Sequence, residues 1–206
     1  MYQYFPLWHP PEEVLRMYGK LSPVSHQTYD LYQIFITHNR VWTVRETIGF
    51  SILFTIALLA AIYLLRSKKI ILSQAISGLI LLLFLGIVFG STVFTRMPMK
   101  RQYNLELFWS WKEVFLNHSR ELLKENLLNC ILLFPMGLLL PLIFDHGLSW
   151  WKGLLAGLLV SGMIETFQLI FCRGVFEWDD MVHNSLGCMI GCILMSTAIK
   201  WKKWSV

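Results

Sequence analysis

Twenty-five consecutive residues, Ile70–Phe94, carry no charge, and only Gln74 and a few hydroxyls break the apolar run. A membrane-spanning helix needs about 20 predominantly apolar residues. A soluble amphipathic helix would turn a polar face outward every 3.6 residues, and this stretch has none. Four other stretches reach or approach the spanning length: Ile48–Leu65, Asn126–Phe144, Gly153–Phe171 and Met181–Ile199. Glu165 is the one ionisable residue in the Gly153–Phe171 stretch, and His183 stands near the start of the last. Composition agrees. Of 206 residues, 55% are hydrophobic and 15% charged, whereas an ordinary soluble domain is about 25% charged. The chain has too little charge for a soluble surface and too much apolar side chain for disorder. Four cysteines, mostly inside apolar runs, do not make a secreted disulfide framework. The net charge of +5 is scattered between apolar blocks, so nucleic acid is not an expected partner. The expected fold class is therefore all-α, a polytopic membrane helix bundle of about five transmembrane helices.

Three regions follow: an N-terminal extracytoplasmic or interfacial segment (1–46), an added transmembrane helix with a cytoplasmic turn (47–69), and the main transmembrane domain (70–200). The first region lacks the basic start, apolar run and cleavage site of a signal peptide. The Pro-Pro-Glu-Glu run after His9 predicts a short helix ending at Gly19, with a second over Gln27–His38. Their Trp and Tyr content places both at the membrane interface. The short connections 66–69, 145–152 and 200–206 hold seven Lys and Arg in 19 residues. Short basic loops next to helix ends face the cytoplasm. The expected topology puts the C-terminus in the cytoplasm of a bacterial plasma membrane and the N-terminus outside. The connection Thr95–Glu125 is longer. Its Leu107, Phe108, Trp111, Val114, Phe115, Leu122 and Leu123 recur at helical spacing among charged residues. This predicts an extracytoplasmic interfacial helix over Trp109–Lys124.

On this topology the costly polar residues collect at one end of the bundle. Arg96 follows the second span, and Asn126 and Asn129 share a face at the start of the third. Glu165 and Gln168 share a face near the end of the fourth, with Arg173 just beyond. Asp179, Asp180, His183 and Asn184 open the fifth. Glu165 lies six residues before Phe171, about 9 Å inside the outer end at 1.5 Å per residue. An ionisable residue at that depth points to function. Structural roles compete with this: an Asp capping the last helix, Asn and Gln joining helices at about 0.6 kcal/mol each, a hydrogen-bonded core His. Small-residue ladders, Gly153-Gly157-Ser161 and Gly187-Gly191, predict close helix contacts. Pro135 and Pro141 predict a kinked third span.

At these residues the chain resembles the VanZ-like family of bacterial membrane proteins. The pieces are Thr95-Arg96, then Asn104-Leu105 with Phe108, then Asn126, Asn129 and Phe134-Pro135-Met136-Gly137. Glu165-x-x-Gln168 follows, and then Phe176, Asp179-Asp180, Asn184, Gly187 and Gly191. Family members often carry Pro shortly before the phenylalanine of the Asn-Leu piece, where this chain has Glu106-Leu107. The resemblance spans about 70–200. It implies an envelope protein linked to reduced susceptibility to glycopeptide antibiotics, teicoplanin in particular.

Two functions follow as expectations. In the first, no cofactor is needed. An outer pocket of Arg96, Asn104, Asn126, Asn129, Glu165, Gln168, Arg173, Asp179, Asp180, His183 and Asn184 binds an anionic lipid, a cell-wall precursor or a lipophilic glycopeptide antibiotic. Arg96 and Arg173 would meet phosphate or carboxylate, and Glu165 would orient one of these arginines. In the second, Glu165, Asp179 and His183 hold a metal in an intramembrane hydrolase or transferase acting on a phosphorylated lipid. A transporter is disfavoured, because five helices show no internal repeat and no polar path through the cytoplasmic half.

Overall fold

The computed structural model describes residues 41–204. The two short helices expected before residue 40, and the interfacial placement of that segment, lie outside the described residues. Among the described residues, five helical segments have the length and apolarity to cross a membrane: Val44–Arg66, Leu72–Phe94, Arg120–Ile143, Trp150–Phe171 and Trp178–Trp201. The protein is an all-α bundle.

Helix α1 (Val44–Arg66) begins at a capping box. The Thr43 hydroxyl accepts from the Glu46 N–H at 3.3 Å, and Glu46 accepts from the Thr43 N–H at 2.8 Å. No α1 residue is buried. The helix rests on α2 (Leu72–Phe89), where Gly86 and Gly90 leave room for the rings of Phe50 and Trp42. The last turn of the second span, Gly90–Phe94, widens into a π-helix. A short strand β1 (Gln102–Asn104) leads to α3 (Trp109–Asn117). The third span is α4 (Arg120–Leu132) and α5 (Phe134–Ile143), the fourth α6 (Trp150–Phe171), and strand β2 (Val175–Glu177) leads into α7 (Trp178–Trp204). β1 and β2 pair in parallel, Gln102 with Val175, Tyr103 with Phe176 and Asn104 with Glu177. The spans alternate in direction, so the end of α2, both strands, α3, the start of α4, the end of α6 and the start of α7 share one end of the bundle.

Two boundaries differ from the sequence reading. The interfacial helix stops at Asn117 instead of Lys124, because His118 takes a left-handed conformation (φ 49°). Ser119 then starts α4, accepting the Leu122 N–H on its hydroxyl. Residues 120–125 thus belong to the third span, which begins six residues earlier than its apolar run. That span breaks at Leu133, and Pro135 sits in the first turn of α5, where its missing N–H costs nothing.

Close backbone approach holds the centre. Gly153 and Gly157 of α6 face Cys192 and Cys188 of α7. A Cβ on Gly157 would stand 2.8 Å from both the Cys188 Cβ and the Ser185 Cα. On the other side of α7, Gly187 meets the Cys130 carbonyl and Gly191 the Phe134 carbonyl. Both contacts advance four residues along each chain, so α4–α5 and α7 run parallel. Val88, Val93, Leu133, Met136, Ile164 and Cys188 form the apolar core at this seam. The outward faces are apolar too, with Ile56, Ile80, Ile131, Leu159 and Leu194 all exposed. In water such a surface would aggregate; in hydrocarbon it is solvated.

Candidate functional site

The shared end of the bundle gathers a buried polar group from α4, α6, α7 and the segment after the π-helix. Asp180 is its hub. Its Oδ1 accepts from Asn129 Nδ2 at 2.5 Å. Its charge acts on Glu165 and Glu177, and Arg96 and Glu125 act on it. Glu165 is 2% exposed, and its Oε2 accepts the Glu177 N–H at 3.0 Å. Gln168, one turn on, donates to the Thr92 carbonyl at 3.0 Å and so ties α6 to the π-helix. Such π-turns leave backbone carbonyls open to side chains and recur at functional sites. Gly174 provides the space for Arg96, since a Cβ there would lie 3.0 Å from Arg96 Nη1.

One turn deeper, Asn184 Nδ2 donates to the Ser161 hydroxyl at 2.8 Å. Ser161 is four residues before Glu165 on α6, and Asn184 four after Asp180 on α7, so this rung lies directly beneath the carboxylates. Asn126 shares a face of α4 with Asn129 and is 3% exposed. Three buried side-chain atoms in this group have no hydrogen-bond partner: Asn126 Nδ2, His183 Nδ1 and Asn184 Oδ1. Buried polar groups left unpaired cost roughly 1–3 kcal/mol each, so they call for an explanation.

Asp179 has a separate task. It is 1% exposed, yet no cation pairs with it among the described residues. Its Oδ1 accepts the Phe108 N–H; its Oδ2 accepts the Ser110 N–H at 3.0 Å and the Ser110 hydroxyl at 2.5 Å. It caps α3, while sitting in the first turn of α7. Two positive helix ends thus share one carboxylate. Beside it, Trp111 Nε1 donates to His183 Nε2 at 2.7 Å. Because the indole can only donate, the imidazole proton sits on Nδ1, the atom without a partner. Together these bonds clamp α3 over the start of α7.

The residues singled out in the sequence divide accordingly. Arg96, Asn126, Asn129, Glu165, Gln168, Asp180 and Asn184 converge. Asp179 and His183 adjoin them as the clamp. Asn104 makes a local turn, its Oδ1 accepting the Glu106 N–H at 3.1 Å. Arg173 donates to the Phe94 carbonyl, and among the described residues no ion pair joins it to Glu165. The trio Glu165, Asp179 and His183 is not brought together as a metal site. No group of three His, Cys, Asp or Glu suited to a metal forms among the described residues. Asp179 spends both oxygens on α3, and His183 spends Nε2 on Trp111.

Ser110, Trp111, Ser161 and Glu177 escaped the sequence reading as site residues. Trp111 was visible only as part of an apolar face and Ser161 only as a small residue; nothing in the sequence marked Ser110 or Glu177. Burial and the charges of Asp180, Asp179 and Glu125 push the Glu177 carboxyl up to about 7.

Fold and site together define a multi-pass α-helical membrane protein with a buried, carboxylate-rich polar cluster at one end of its bundle. A family model for VanZ/LLP1 matches residues 76–199. The chain belongs to this family, and α1 lies outside the matched region. No curated protein and no solved structure matches it.

Proposed function

We propose that the polar cluster binds the head group of an amphiphile, either a membrane lipid, a cell-wall precursor or a lipophilic glycopeptide antibiotic, without chemical turnover. The observation that carries this is the set of orphaned buried atoms. Asn126 Nδ2 and His183 Nδ1 offer donors, and Asn184 Oδ1 an acceptor, at helix positions that packing alone would fill with apolar side chains. A head group supplies the missing partners, and its tails extend along the apolar flank of the bundle. The topology expected from the basic short loops puts this pocket on the outer side, where precursors and glycopeptides are met.

Electrostatics narrow the reading. Among the described residues Asp180 has Glu125, Glu165, Glu177 and Asp179 as acidic neighbours and Arg96 as its basic one, while Arg173 is turned to a carbonyl. A purely anionic head group would gain one charge-assisted contact and several repulsions. This weighs against the anionic lipid expected from the two arginines.

Native mass spectrometry of the protein purified with its native lipids tests the proposal. Wild type should retain an amphiphile that Asn126→Leu and Asn184→Leu each release; Asn126→Leu removes a buried orphan and should not lower stability, whereas Asn184→Leu also gives up the bond to Ser161. Retention by both variants, or an empty wild type, would refute it. In a glycopeptide-susceptible host, expression should lower teicoplanin susceptibility, and Asn126→Leu should abolish that effect.

A further inference from the structure

Asp180 has the carboxyl groups of Glu165 and Glu177 as neighbours at this end of the bundle. The described residues form no metal site at this cluster. An ammonium group needs no coordination polyhedron, only acceptor oxygens around it, and Asp180 has one oxygen beyond that engaged by Asn129. The neighbouring carboxylates of Glu165 and Glu177 interact with Asp180 through space. Arg96 lies against Gly174 and can take a phosphate or carboxylate oxygen. The orphaned atoms repeat this pairing of opposite needs. Asn126 Nδ2 and His183 Nδ1 require acceptors, and Asn184 Oδ1, one turn beneath Asp180, requires a donor. All three residues are at most 3% exposed.

Building on the head-group reading above, we infer that the pocket selects a zwitterionic head group, its protonated primary amine held by Asp180 and Glu177 and its anionic oxygen by Arg96. The amine complements the Asp180 and Glu177 carboxyl groups, which a simple anion would oppose. The anionic oxygen keeps Arg96 compensated when the amine draws on its carboxylates. Phosphoethanolamine carries this chemistry, whether as a lipid head group or as a free solute.

The test is competition for the full-length, delipidated protein in detergent, read by native mass spectrometry. Phosphatidylethanolamine, its N-acetyl derivative and phosphatidylglycerol are offered at equal concentration. The first should occupy the protein about tenfold more than either of the others, the difference one charge-assisted bond makes. Asp180→Asn, which keeps the acceptor for Asn129, should bring the three lipids close to parity. Glu177→Gln does the same if Asp180→Asn does not fold. Displacement by soluble phosphoethanolamine would mean that the head group alone is recognised. Persistence of the tenfold preference without displacement would mean that the tails are needed too. Equal occupancy by the three lipids, or preference for phosphatidylglycerol, overturns the amine while leaving a head-group pocket standing. If wild type retains none of the three, both readings fall.

Discussion

Replacing Asp179 with Ala should release α3 while leaving the bundle intact. The carboxylate accepts from the Phe108 N–H, the Ser110 N–H and the Ser110 hydroxyl. Truncating a helix cap costs about 0.5–2 kcal/mol, and hydrogen bonds to a charged acceptor contribute about 1.5–3 kcal/mol each. The three are not additive, because the freed groups regain water once α3 lifts. About 3 kcal/mol is the expected loss for docking α3, against which the Trp111–His183 bond remains. At 1.4 kcal/mol per factor of ten, amide exchange across Trp109–Asn117 should accelerate roughly 100-fold. Hydrogen–deuterium exchange with peptide resolution reads this directly; fluorescence would not, because the chain has nine tryptophans. Exchange in α6, which Asp179 does not hold, should be unchanged. Asp179→Asn keeps one acceptor and should fall between. If Asp179→Ala leaves exchange over Trp109–Asn117 within a factor of three of wild type, the carboxylate is not what holds α3, and its burial needs another cause.

Gly187→Ala should sharply lower the folded yield, because its Cβ would overlap the Cys130 carbonyl, while Gly78→Ala, with open space around it, should be neutral or better. Gly86 is no open control, since the Phe50 ring fills its notch; equal yields for Gly187→Ala and Gly78→Ala would remove the close-packing argument. Glu177 binds its proton more tightly folded than unfolded, so its contribution is greatest below the ordinary glutamate range and is lost as pH rises towards about 7. Thermal stability should therefore fall between pH 5 and pH 8, and Glu177→Gln should flatten that slope; an unchanged slope would refute the assignment. Glu165→Gln and Arg173→Gln should be additive in stability within about 0.5 kcal/mol, whereas Glu165→Gln and Arg96→Gln should couple. Coupling of the Arg173 pair instead would make Arg173, the other arginine that the sequence offered, the partner of Glu165. For orientation, a cysteine at exposed Leu116 should react with an impermeant reagent on intact cells and one at Ser67 should not; the reverse inverts the topology. Ser110 is too buried to serve as the outer probe.

The five spans were legible because lipid imposes a length and an apolarity that no local propensity can disguise. Their ends were less so. The apolar run of the third span starts at Asn126, yet the helix starts at Ser119, since capping rather than hydropathy decides where backbone N–H groups find partners. Glu165, Asp180 and the two asparagines of α4 were legible as a cluster from the topology alone. Which arginine joins them was not. Arg96 and Arg173 are equivalent by depth, and only the π-turn at Gly90–Phe94 and the notch at Gly174 distinguish them. The parallel pair β1–β2 was invisible, because three-residue strands 70 residues apart carry no pattern in the sequence.

Helix direction accounts for five charges at this end of the bundle, but not for Glu165. Three helices begin here, α3, α4 and α7, and their positive ends favour Glu121, Asp179 and Asp180. Two spans finish here, through α2 and α6, and Arg96 and Arg173 follow their negative ends. Each of these five charges is where the macrodipoles would put it, so none demands a ligand by itself. Glu165 breaks the pattern. It lies two turns from the C-terminus of α6, 2% exposed, at the end of a helix that disfavours an anion, with one backbone N–H as its hydrogen-bond donor. Replacing it with Gln would keep that bond and relieve the repulsion from Asp180, a larger effect than the attraction to Arg96 that is lost, so stability alone gives little reason for a carboxylate there. Where a local rule fails without a compensating structural gain, function is the remaining cause. The zwitterionic head group proposed above would supply such a cause, since an ammonium held by Asp180 would offset the repulsion that Glu165 meets from Asp180.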